Sequence, residues 1–258
     1  MPDRPSATSL SRRDAIGALA LGTAILPAAA HGASTTVVEA IAFDGFPIFD
    51  PRPVGALAMR LFPDRGAVLA QQWSAKLFGY TWLHTAAGQY AGFDALADAA
   101  LRYTAEALQL TLGDRDRAAL VGAYAQLEIW PDVRQALMKL RAAGVRLAFL
   151  SNLSEATLHA NMARTGIAEL FEQVLSTDRV RQFKPARAAY AMGVEAFGLP
   201  KSRIGFAAFG GWDAAGAAWF GYRTAWVNRF GLPREPIEPG PAIVAPGIEA
   251  VLALAGIA

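Results

Sequence analysis

The sequence predicts an α/β protein: a Rossmann-like parallel sheet core with an inserted helical cap. Three patterns carry this reading. Short apolar, β-rich runs alternate with helical segments through the second half of the chain, as in a parallel sheet covered on both faces. A long, almost purely helical stretch separates the first such run from the others. Polar residues stand where the apolar runs stop, which is where open α/β sheets hold their ligands.

In chain order, residues 37–43 form an apolar, β-rich run that stops at Asp44 and reads as a buried strand. Pro47, Pro51 and Pro53 then turn the chain. Residues 54–113 are rich in Ala, Leu, Met and aromatics and read as helical, with a further helix over about 114–127. Val133, Ala136, Leu137 and Leu140 fall on one face of an amphipathic helix that Gly144 ends. Strands are expected at 145–150, 173–176, 204–209 and 224–228. Helices are expected at 155–164, 185–197 and 214–220, the second with Pro185 in its first turn, where a missing N–H costs nothing. The Pro-rich stretch 232–247 reads as a surface loop before a last helix at 248–255. The organisation is therefore a core of 36–50 and 130–258, with a cap of 51–129.

Composition narrows the function. The 258 residues carry 24 Lys and Arg against 22 Asp and Glu, and 53% are apolar, enough for a real core. The absence of cysteine excludes disulfides, zinc–thiolate sites and a cysteine nucleophile. The three histidines, His31, His84 and His159, are too scattered for a histidine metal centre. With a net charge of +2 and no basic block beyond the first residues, nucleic acid is not an expected partner. Residues 1–30 have the layout of an export signal: Arg12-Arg13, an uncharged run over 15–30, and Ala28-Ala29-Ala30 at a cleavage position. Pro27 interrupts that run, which is short for a membrane span. The expectation is twin-arginine export to the periplasm, cleavage near Ala30 and no membrane attachment afterwards.

Asp44, Ser151-Asn152, Lys184 and Asp213 each stand at a strand exit or a helix entry, and so converge on one crevice. Singly, each is an ordinary cap or turn residue. Together they permit specific chemistry. A carboxylate can act as a nucleophile, and a nearby lysine keeps it ionised. A serine hydroxyl and backbone N–H groups can hold an anionic substrate group, and a second carboxylate can activate water.

Ala42-Phe43-Asp44, Leu150-Ser151-Asn152, Phe183-Lys184-Pro185 with Tyr190, and Trp212-Asp213-Ala214 resemble, in order, the four motifs of the haloacid dehalogenase superfamily. Tyr80-Thr81-Trp82-Leu83 and Tyr90-Ala91-Gly92-Phe93 resemble the cap of its 2-haloacid dehalogenase branch. The resemblance implies that Asp44 attacks C2 of a short L-2-haloacid and that water hydrolyses the resulting ester to a hydroxy acid of inverted configuration. It implies that Ser151 and Asn152 bind substrate, that Lys184 pairs with Asp44 and Asp213, and that Tyr190 supports them. Phe46, Phe78, Phe93 and Trp212 are the candidate pocket lining, although core packing explains such aromatics equally well. The branch pairs through its cap, so a homodimer is a further expectation.

No metal or other cofactor is expected. Phosphatases of the superfamily need acidic residues where this chain has Phe46 and Phe209, which leaves too few oxygen ligands for magnesium. The chain also departs from the dehalogenase pattern. It has Trp73-Ser74 where the branch has Trp-Arg, and Phe209-Gly210-Gly211 where the branch has a Ser and an Asn before Trp-Asp. Arg52, close to the nucleophile loop, and Lys76, in the cap, are candidate replacement cations; a solvated loop arginine is the alternative for Arg52. A catalytically altered or non-catalytic carboxylate-binding homologue is the alternative function, ahead of a phosphatase.

Overall fold

The computed structural model describes residues 38–257; the expected export signal lies outside them. The described residues build a six-stranded, all-parallel sheet in the order β3-β2-β1-β4-β5-β6. The strands are β1 Ala40–Phe43, β2 Arg146–Ser151, β3 Gln173–Ser176, β4 Ile204–Ala208, β5 Arg223–Val227 and β6 Ile243–Ala245. Between β1 and β2 run α1 Arg52–Leu61, α2 Gly66–Ala87, α3 Phe93–Ala107 and α4 Asp114–Gly122, followed by α5 Val133–Ala142. The remaining helices are α6 Glu155–Thr165, α7 Arg187–Phe197, α8 Gly211–Phe220 and α9 Glu249–Leu254.

Alternation along each strand sorts side chains onto two covered faces. Ile41, Phe43, Leu147, Phe149 and Val227 meet α5, α6 and α9 on one face. Ala40, Ala42, Ala148, Leu150, Phe206 and Ala208 meet α7 and α8 on the other. Because β1 is flanked by β2 on one side and β4 on the other, the order in which strands are added reverses about it, and a crevice opens at its carboxyl end. The cap helices close over that end. Trp73, fully buried, donates its indole N–H to the Ala97 carbonyl at 2.8 Å and so locks α2 to α3. Asp94 accepts from Ser154 Oγ at 2.9 Å, and Thr85 Oγ1 accepts from the Phe183 N–H at 3.0 Å, which ties the cap to the core.

Four expectations need correction. Pro185 is not in the first turn of α7, which starts at Arg187 with Ala186 as its N-cap. The residue before a proline avoids helical geometry, and Lys184 is instead held in a loop. α8 starts at Gly211 rather than 214, so Trp212 and Asp213 lie in its first turn. The stretch 232–247 is not all loop: it contains β6, an edge strand of three residues that pairs with β5. Of the described part of the first expected run, 38–43, only Ala40–Phe43 is strand.

Candidate active site

Asp44 is the first residue beyond β1, and its backbone N–H continues the ladder to Ala207 at 2.9 Å. Its carboxylate Oδ1 accepts from Lys184 Nζ at 2.7 Å and from Ser151 Oγ at 3.4 Å. Oδ2 accepts a long bond from the Phe46 N–H at 3.3 Å and is the freer oxygen. Gly45 makes this packing possible: a Cβ there would sit 2.9 Å from Leu153 Cδ1 and 3.1 Å from Ser151 Oγ. Lys184 is 1% exposed and bridges two carboxylates, its Nζ also reaching Asp213 Oδ2 at 2.6 Å. Tyr190 donates its hydroxyl to Asp213 Oδ1 at 2.7 Å. Gly216 lets α8 approach that hydroxyl, because a Cβ there would lie 2.6 Å from it.

The electrostatics follow from burial and pairing. Burial would lower the Lys184 pKa, but the charges of Asp213 and Asp44 outweigh it and hold the ammonium above its usual value. Burial, helped by the Asp44 charge, pushes the Asp213 carboxyl up to about 6, against the pull of Lys184 and Tyr190. Burial and the Asp213 charge raise the Tyr190 hydroxyl well above its usual value, so it remains a neutral donor. Asn152 Oδ1 accepts from the Lys184 N–H at 3.0 Å, while its buried Nδ2 has no partner among the described residues.

These groups open into a cavity of about 300 Å³. Asp44, Phe46, Ser151, Asn152, Trp212 and Asp213 line it from the core, and Ser74, Leu77, Phe78 and Phe93 from the cap. Phe46 packs against Phe209 at 5.7 Å, and Phe78 against Trp212 at 5.5 Å. The cavity wall is therefore mostly apolar around one hydrogen-bonded end. Lys184 and Tyr190 stand behind that end rather than on the wall. Among the described residues no cluster of three His, Asp or Glu has metal-ligand spacing. The two carboxylates already share an ammonium, and the nearby Phe46 and Phe209 offer no oxygen, so the residues present do not fit a divalent cation.

Arg52 is not brought to the site. It is exposed, forks onto Asp50 at 2.6 and 2.8 Å, and lies 4.5 Å from the Trp130 ring centre. Its nearest carboxylate captured it. Lys76 also lies elsewhere, 4.0 Å from the ring centre of Tyr103 on the outer side of the cap. Sequence reasoning missed the other wall of the cavity, formed by Asn228, Arg229, Phe230, Leu232 and Glu235 after β5. Asn228 and Arg229 directly follow a strand, the same signal that marked Asp44 and Ser151, and could have been found by it.

A family model described as haloacid dehalogenase-like hydrolase matches residues 20–221. Haloacetate dehalogenase H-2 from Moraxella sp. (strain B) is 34% identical over 221 residues, covering 85% of this chain and 99% of that protein. The crystal structure of L-2-haloacid dehalogenase RSc1362 superposes with a TM-score of 0.83 at 37% identity, over 86% of this chain and 100% of that one. The L-2-haloacid dehalogenase of Xanthobacter autotrophicus, solved with chloropropionic acid covalently bound, superposes at 0.76 with 29% identity, over 84% of this chain and 98% of its own. With the motif residues gathered at one strand-end crevice and these matches spanning most of its length, the chain belongs to the haloacid dehalogenase-like hydrolases.

Proposed function

We propose that this protein is a hydrolase of carbon–halogen bonds that dehalogenates short L-2-haloalkanoic acids through an ester on Asp44, without a metal. The observation that carries the reading is Asp44 itself: a carboxylate paired with a buried ammonium yet facing an apolar cavity. The relatives above, one a haloacetate dehalogenase and one with chloropropionic acid covalently bound, support the same chemistry.

In the first step an Asp44 oxygen donates a lone pair to C2 while the carbon–halogen pair leaves as halide. Ser151, Asn152 and backbone N–H groups hold the substrate carboxylate. In the second step water adds to the Asp44 carboxyl carbon and the ester C–O bond breaks. This returns the Asp44 carboxylate and yields a 2-hydroxy acid with one proton released. Asp213, with a pKa near 6, suits a base working close to neutrality, and Lys184 Nζ, 2.7 Å from Asp44 Oδ1, holds the nucleophile in place for the next cycle.

The test is halide release from L-2-chloropropionate and chloroacetate, in the presence and absence of EDTA. A single turnover in ¹⁸O-water should leave the label in Asp44, and Asp44→Asn should abolish turnover. Stabilisation by carboxylates without halide release from any haloacid would instead favour the non-catalytic alternative. Under the same reading the chain is exported with cleavage near Ala30, which N-terminal sequencing of the periplasmic form tests. Pairing of two copies through the cap has support in the exposed Trp82, Leu83 and Tyr103; light scattering of the mature chain tests it.

A further inference from the structure

We infer that Trp130, helped by Arg229, is a positioning residue for the nucleophile: it holds the loop after β1 so that the Phe46 N–H meets Asp44 Oδ2. This rests on the dehalogenation reading above, in which Asp44 makes the bond to carbon. Carbonyls shielded from water need donors, and in this loop the donors can be traced one by one. The Gly45 carbonyl takes the N–H groups of Ile48 and Phe49, at 3.2 and 2.9 Å. The next three carbonyls are all held from outside the loop. Trp130 gives its indole N–H to Phe46 at 2.9 Å and its backbone N–H to Ile48 at 3.0 Å. Arg229 Nη2 donates to Pro47 at 3.2 Å. Trp130 is itself fixed. It is 6% exposed, and two guanidinium carbons lie over its ring, that of Arg52 at 4.5 Å and that of Arg229 at 4.7 Å. Asp132 in turn holds Arg229 Nη1 at 2.7 Å.

Phe46 is therefore held at both ends, its carbonyl on Trp130 and its N–H on the nucleophile at 3.3 Å. Pro47, next to it, has no N–H with which to anchor the turn. In the first step Oδ2, the freer oxygen, gives its electron pair to C2 while the carbon–halogen pair leaves as halide. The oxygen, carbon and halogen must be in line, and a misplacement of about 1 Å can cost about 100-fold in rate. Trp130 also stands where the chain leaves the cap. Phe49 bridges to Ile129, and the Asp50 N–H donates to the Glu128 carbonyl at 2.9 Å, so the segments entering and leaving the cap are joined beside the nucleophile loop. One side chain thus sets Asp44 against the cap residues Leu77, Phe78 and Phe93 on the cavity wall. Hydrolysis of the ester draws on Lys184, Ser151 and Asp213, which bond to one another or to Asp44 and not to Trp130.

The experiment compares the wild-type chain with Trp130→Phe, which keeps a ring but loses the indole donor, and with Arg229→Lys, which keeps the charge but loses the fork. Thermal melts check that each is folded. Rapid-quench mass spectrometry with L-2-chloropropionate follows the Asp44 ester as it forms and decays, and crystal structures of all three proteins locate Phe46. The inference expects ester formation to slow about 10-fold or more in Trp130→Phe, at an unchanged half-saturating substrate concentration, with decay of the ester within about twofold of wild type. Arg229→Lys should slow the same step by less. The Phe46 N–H should lie out of reach of Asp44 Oδ2 in Trp130→Phe, with the Lys184 contact kept. Equal slowing of formation and decay, weaker substrate binding alone, or wild-type rates would overturn the inference. If Trp130→Phe does not fold, Arg229→Lys carries the same comparison of the two steps. If the wild type forms no ester with any haloacid, the dehalogenation reading fails; a Phe46 N–H still on Asp44 Oδ2 in Trp130→Phe would separately overturn the positioning role.

Discussion

Replacing Lys184 with methionine would remove the ammonium that lies between two buried carboxylates. Lys184 Nζ stands 2.7 Å from Asp44 and 2.6 Å from Asp213, and the side chain is 1% exposed. Methionine has a similar shape, so the change reports charge more than packing. Breaking a buried ion pair by deleting one partner costs about 3–5 kcal/mol, because the other charge is left uncompensated. In a domain of this size each kcal/mol moves Tm by about 2–4 °C, so the variant should melt about 6–20 °C lower near neutrality. The sign of the pH dependence follows from the carboxyls. Asp213 is already raised to about 6 with the ammonium beside it, and loss of that ammonium pushes the Asp213 carboxyl further up. A group whose pKa is raised in the folded state stabilises the fold fully below its unfolded value and loses that contribution as pH rises through the folded value. The penalty of Lys184→Met therefore shrinks on acidification. Circular-dichroism melts of both proteins from about pH 4.5 to about pH 8 read this directly. A Tm within about 3 °C of wild type near pH 8, or a gap that does not narrow near pH 4.5, would refute the reasoning.

In the wild type, the raised value of Asp213 makes its contribution to stability fall between about pH 4 and about pH 6, by roughly 3 kcal/mol for the two-unit shift. Asp213→Asn should remove that slope, visible as a wild-type-minus-variant difference in urea unfolding free energy that changes across this window. Gly216→Ala would place a Cβ 2.6 Å from the Tyr190 hydroxyl and 2.8 Å from Pro185 Cβ. Such overpacking costs about 1–3 kcal/mol, so the urea midpoint should fall. Displacing Tyr190 also removes a bond that lowers the Asp213 pKa, so the Asp213 carboxyl, followed by carbon NMR, should titrate at higher pH than in the wild type.

Much of the architecture was legible because parallel strands buried on both faces read as short apolar runs. The runs ending at Asp44 and Ser151 are such strands, and the structure brings both residues to one crevice with Lys184 and Asp213. Less was legible where local chemistry and tertiary context disagree. The three residues of β6 are partly exposed and sit among prolines, and only pairing with β5 makes them a strand. Gly210-Gly211 does not announce a helix, yet α8 begins at Gly211. Arg52 is near Asp44 in sequence, but Asp50 is nearer still and captured its guanidinium.

The amino-acid sequence by itself determined the sheet-and-cap class and the polar residues at strand ends, because burial period and strand termination are local properties. Only the tertiary structure decided which further side chains join those strand-end residues on the cavity wall. Arg229 lies 185 positions beyond Asp44 in the chain and reaches the same wall because β5 is the second strand over from β1 in the sheet. Strand order sets that proximity, and no short stretch of sequence encodes it.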